Sequence, residues 1–92
     1  MPKFLLEVPH SAEPLACARE VHVFLSTGSH FLTNADWGCM DGIHSAWLTV
    51  DVASKEEARM MLPSVFRAQA KITGLNKFNL QQIETMLSEN KP

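Results

Sequence analysis

The nine residues DWGCMDGIH, Asp36 to His44, place two carboxylates, a thiol and an imidazole in one short stretch. Cysteine sulfur and histidine nitrogen are good ligands for zinc, copper or nickel. A cysteine beside a histidine is also the start of a base-activated thiolate nucleophile. A tetrahedral structural site needs four ligands, however. His10, His22 and His30 are the other histidines, and local spacing sets none of them beside Cys39 and His44. The nucleophile reading lacks an orienting third residue and an oxyanion loop. The sequence therefore assigns no metal-ligand set and no cofactor, and leaves Cys39 and His44 as a candidate transition-metal pair. Cys17, the second of two cysteines, falls on a helical apolar stripe and reads as core.

The elements around this stretch follow from hydropathy period and turn chemistry. KFLLEV (3–8) alternates and reads as a strand closed by Pro9. Residues 13–28 read as a helix, with Pro14 in its first turn and Gly28 just past its last. Cys17, Ala18, Val21, Phe24 and Leu25 form its expected buried stripe. Residues 30–39 and 44–52 read as two strands joined at Asp41-Gly42, a strong hairpin-turn signal. Residues 54–62 form a helix with Ser54 and Glu57 in capping-box positions, and Pro63 ends or kinks it. Residues 68–75 are a last strand. Residues 78–87 are a further helix capped by Asn79 with Gln82 three positions on.

The order predicts one α+β domain over residues 1–92: a ferredoxin-like βαββαβ antiparallel sheet with helices on one face, plus a C-terminal helix. A two-residue loop at Asp41-Gly42 pairs Trp37 with Ala46 and Cys39 with His44. Paired residues share a face, and a one-residue slip mixes polar and apolar side chains on both. One face then collects Phe31, Ala35, Trp37, Cys39, His44, Ala46, Leu48 and Val50, and belongs under the helices. The other collects His30, Leu32, Asn34, Asp36, Trp47 and Thr49. It is joined by Lys3, Leu5 and Glu7 of the first strand and Lys71 and Thr73 of the last.

This open, mixed face is the main candidate surface. Asp36 is the candidate general base, because burial beside an indole raises a carboxyl's pKa. Asn34 and His30 are candidate polarising groups. Trp47, Thr49, Glu7 and Lys71 are candidate ligand contacts, Trp47 by stacking on a planar molecule. The competing reading is a dimer interface with apolar anchors among paired charges.

With element order and two-faced strands in view, the chain resembles the dimeric α+β barrel superfamily. There two ferredoxin-like protomers pack sheet against sheet around a small ligand or active site. The resemblance implies a homodimer formed through the sheet face and a small-molecule site in or beside it. Cofactor-free monooxygenases and isomerases belong to that group, and so do ligand-sensing modules, so it does not choose a function.

Bulk properties narrow the partners. Ninety-two residues hold one core, and 46% hydrophobic with 20% charged residues is ordinary for a globular chain. A net charge of −2 and scattered lysines and arginines argue against nucleic acid. No run approaches a membrane span. The start MPKFLLEVPHS reads as a strand rather than a leader, and two cysteines outside any CxxC pattern suit a cytoplasmic protein with reduced thiols.

Overall fold

Alternation in KFLLEVP makes β1 (Lys3–Pro9) the strand around which the sheet assembles. In the computed structural model, which describes residues 1–90, Phe4, Leu6 and Val8 are buried while Lys3, Leu5 and Glu7 face the other way. β1 pairs antiparallel with β3 (Ser45–Asp51) along its whole length and with β4 (Lys71–Leu75) on its other edge. β2 (Asp36–Trp37) adds to the outside of β3, giving the order β2-β3-β1-β4. The described residues thus form an α+β protein with a four-stranded antiparallel sheet and four helices, compatible with a ferredoxin-like arrangement.

The core lies on one face of this sheet. Phe4, Leu6, Val8, Ala46, Leu48, Val50 and Ile72 meet Phe24, Leu32, Ala58, Leu62 and Ala70 there, with Trp37 and Phe66 packed against them. Phe24 is fully buried, its ring set edge-on to Trp37 at 5.0 Å between centroids and tilted against Phe66 at 5.4 Å. Aromatic pairs in such geometry add to the stability of simple burial.

The extended run expected over residues 30–39 is largely replaced by other structure. Ser29 caps a single helical turn, α2 (His30–Thr33), its hydroxyl accepting from the Leu32 N–H. The Thr33 hydroxyl donates to the Ser29 carbonyl, and the Asn34 amide donates to the His30 carbonyl at 2.6 Å. These local side-chain bonds satisfy backbone groups that a strand would have offered to a ladder. The turn also reverses two assignments: Leu32 enters the core at 3% exposure, while Phe31 is the exposed neighbour.

The register expected for the hairpin is the one found, with Asp36 opposite Trp47 and Trp37 opposite Ala46. Its tip differs. After Trp37 the chain leaves the ladder into a 3₁₀ turn, Cys39–Asp41, so Cys39 and His44 are not a ladder pair. The Gly38 carbonyl accepts from both Asp41 and Ile43 N–H groups. Gly42 closes the turn at φ 82°, the left-handed region where glycine is favoured.

α1 (Pro14–Ser26) presents a different stripe from the one read in the sequence. Glu20 and Phe24 are its buried residues, whereas Ala18 and Leu25 are exposed. α3 (Lys55–Met60) begins at the Ser54 cap, whose hydroxyl accepts from the Glu57 N–H. The Glu57 carboxylate bonds the Ala53 N–H instead of closing the box on Ser54. β4 starts only at Lys71, because 3₁₀ structure over Ser64–Phe66 and two arginines organise the segment before it. Arg67 donates to the Leu62 and Met60 carbonyls, and Arg59 donates to those of Arg67 and Ala70.

α4 (Leu80–Glu89) has the expected Asn79–Gln82 capping box, both bonds at 2.8 Å, and buries no residue. The described chain extends 56 Å along one axis against 28 and 21 Å across it, with a radius of gyration of 16.9 Å. A compact domain of this length has a radius near ~12 Å. The excess reflects a helix standing clear of the core. No helix among the described residues is long and apolar enough to cross a membrane.

Candidate metal centre

Four segments end at the same edge of the sheet, and each delivers one soft or borderline ligand. His10 follows β1 directly, and its N–H donates to the His44 carbonyl at 2.9 Å. That bond holds His44, the residue preceding β3, beside it. Cys39 opens the 3₁₀ turn at the hairpin tip, and Cys17 lies in the first turns of α1. One ligating atom from each of His10, Cys17, Cys39 and His44 lies within 4.8 Å of the other three. All four residues are half-buried.

The contacts inside the cluster are close. The Cys17 thiol donates to the Cys39 sulfur, with 2.9 Å between the Sγ atoms. His10 Nε2 lies 3.2 Å from Cys39 Sγ. The other His10 nitrogen, Nδ1, lies 2.7 Å from a Glu20 carboxylate oxygen, but the pair is not aligned as a hydrogen bond and both atoms are buried without a hydrogen-bond partner. His44 Nδ1 is buried without a partner. The His10 ring stands edge-on to both His44 and Trp37.

Burial dominates the acid–base character of these groups. It pushes the Glu20 carboxyl up to about 7. It also lowers His10, helped by the neighbouring His44 ring. Burial first, and the Cys17 thiol second, raise the Cys39 thiol to about 11. A thiol so hard to ionise without help is one that a cation would convert to thiolate by replacing the proton.

The donor set is the N2S2 combination that suits a tetrahedral ion. If His10 binds through Nε2, its Nδ1 faces Glu20. A ligating imidazole is commonly oriented through its second nitrogen by a carboxylate in this way. Two sulfurs on one tetrahedral zinc stand about 3.8 Å apart, given zinc–sulfur distances near 2.3 Å. The observed 2.9 Å therefore asks the pair to open by roughly an ångström on binding.

The sequence pointed to Cys39 and His44 alone. His10 was hidden because it follows the end of a strand, 29 positions from Cys39. Cys17 reads as core in the sequence because its neighbours are apolar. One signal was available: Glu20 sits three residues after Cys17 and four before Phe24, an acid on the buried stripe of α1. A buried acid calls for a partner, and the group that faces it, at 2.7 Å, is His10.

The open face is the second place where chemistry-bearing residues meet. Asp36, Trp47, Glu7 and Lys71 stand in one row across all four strands. His30, Asn34, Asp36, Trp47 and Thr49 line a single concavity of about 340 Å³ together with Leu5, Phe31 and Leu48. Five of the seven expected site residues thus share one hollow, and Glu7 and Lys71 continue the row beyond it. Trp47 is half-buried, whereas Asp36, His30, Asn34 and Thr49 are exposed. The dry carboxyl of this protein is Glu20, at the other site. Compared with protein-family models, with curated proteins and with solved structures, the chain matches none.

Proposed function

We propose that this protein binds one transition-metal ion, zinc by preference, through His10, Cys17, Cys39 and His44. The observation that carries the reading is the convergence of four ligating atoms within 4.8 Å from four separate segments. The buried carboxylate behind His10 and the unpartnered His44 nitrogen support it. Two thiolates with two imidazoles favour zinc over calcium or magnesium, which prefer oxygen. The role is structural in the first instance, because four protein ligands leave no open position for a substrate. A reducing, cytoplasmic setting keeps both thiols available to the ion.

The test is metal content and affinity of the reduced full chain. One zinc per chain is expected, with cobalt giving the visible spectrum of a tetrahedral thiolate site. Cys39→Ser and His44→Ala are each expected to weaken binding at least about tenfold, the scale on which even outer-shell groups matter. Zinc binding that survives both substitutions unchanged would overturn the proposal.

A second reading is favoured by the concavity at Asp36 and Trp47. In it the ferredoxin-like chain forms a homodimer through its open face and holds a small molecule against Trp47, with Thr49, Glu7 and Lys71 around it. An oxygenase or isomerase would use Asp36 as base, with Asn34 and His30 polarising the substrate. Support comes from Leu5, Trp47 and Leu75, which present apolar surface beside polar groups on that face. A monomer by light scattering, together with no ligand-induced quenching of Trp47, would count against it.

A further inference from the structure

The two sulfurs of the cluster stand in a position that serves more than one product. Their 2.9 Å separation lies between the about 2.05 Å of a disulfide and the about 3.8 Å of two thiolates on one tetrahedral ion. Both cysteines are free thiols. We propose that Cys17 and Cys39 are a site of reversible two-electron oxidation, and that their disulfide and the bound ion exclude each other. This rests on the metal reading for its second half and on the sulfur geometry alone for its first.

Exclusion follows from the ligand count. A disulfide sulfur carries no negative charge and is a poor ligand for zinc. Oxidation therefore removes both sulfur donors at once and leaves only His10 and His44. Two neutral imidazoles do not make a structural zinc site.

The oxidant we name is a peroxide. Cys39 is the sulfur assigned the first attack, because its thiol lies 3.2 Å from His10 Nε2, which can take its proton, whereas Cys17, equally half-buried, is held within α1. The Cys39 thiolate attacks one peroxide oxygen; the O–O bond breaks, hydroxide leaves, and a sulfenic acid forms on Cys39. The Cys17 thiolate then attacks the Cys39 sulfur; the S–S bond forms, the S–O bond breaks and a second hydroxide leaves. The sulfur pair gives up two electrons, and these reduce the peroxide. A dithiol reductant reverses the step by thiol–disulfide exchange.

The experiment treats zinc-loaded full-length protein with hydrogen peroxide. Released zinc is followed with a chromogenic chelator, and peptide mapping without reductant follows the cysteines. The expected result is an intramolecular Cys17–Cys39 disulfide, one zinc released per disulfide formed, and rebinding after dithiothreitol. In Cys17→Ser the disulfide is lost and Cys39 instead accumulates oxygen adducts. Zinc release without this disulfide, or its formation with zinc retained, would overturn the proposal. If the reduced protein binds no zinc, the metal reading falls, and with it the exclusion. The same mapping on that metal-free protein still decides the pair: an intramolecular disulfide upholds the oxidation site, and thiols that resist or cross-link between chains refute it.

Discussion

His10 Nδ1 lies 2.7 Å from the Glu20 carboxylate, with both side chains nearly closed off from solvent, at 3% and 5% exposure. This pair makes the metal-free protein sensitive to pH, and the sign follows from Glu20. Its carboxyl is raised from an ordinary 4.5 to about 7 by burial. A raised acid contributes stability that is fully present below 4.5 and is lost as pH rises through about 7. His10, lowered by burial and by His44, acts oppositely below its ordinary 6.5. Glu20→Gln separates the two. Denaturant midpoints of the variant are expected to lose the decline between pH 4.5 and 7, keeping only a rise toward pH 6.5.

The core prediction concerns α1. Phe24→Ala removes a fully buried ring that touches Trp37 and Phe66, and the expected loss is about 3–5 kcal/mol. Leu25→Ala, one position on and exposed, is expected to stay within about 0.5 kcal/mol. Urea unfolding of both variants checks the helix's facing. Equal effects would show that the stripe has been placed wrongly.

Gly38 is tied to the open face through Trp47. A Cβ at this position would fall 2.7 Å from the Trp47 ring and 2.7 Å from the Ile43 carbonyl oxygen. Gly38→Ala is therefore expected to cost about 1–3 kcal/mol, the usual range for overpacking, and to displace the indole. Trp47 fluorescence should change with it. Gly42→Ala meets no atom but must hold φ at 82°, which costs about 1–2 kcal/mol and leaves the indole alone.

Asn79 acts on a helix that stands apart from the core. Asn79→Ala removes the side-chain acceptor of the capping box and should cost α4 about 1 kcal/mol. The loss is expected as faster amide exchange within residues 80–89. The main unfolding transition should keep its midpoint, since α4 buries no residue. A matching drop in global stability would contradict that separation.

Much of the sheet could be read from residue order because period-two burial is local. β1, the two faces of β3 and the Trp37–Ala46 register all follow from alternation and the Asp41-Gly42 turn. The Asn79 cap was legible for the same reason. The failures lie where side-chain hydrogen bonds to the backbone or the packing of distant segments decide. Ser29, Thr33 and Asn34 convert an apparent strand into a helical turn by bonding their own backbone. Arg59 and Arg67 shorten β4 through carbonyls far along the chain. Half of the candidate cluster is invisible in the sequence because His10 and Cys17 join Cys39 and His44 only once β1 and α1 have packed.

That dependence has a consequence for folding. Every ligand lies between His10 and His44, and α3, β4 and α4 supply none. An ion held there would bridge Cys17 and Cys39 across 22 positions of chain. A cross-link of that span removes about 3 kcal/mol of freedom from the unfolded ensemble. Capture of the ion would thus mark the moment when β1, α1 and the β2–β3 tip have met. The second half of the chain would then add onto a scaffold already committed to its topology.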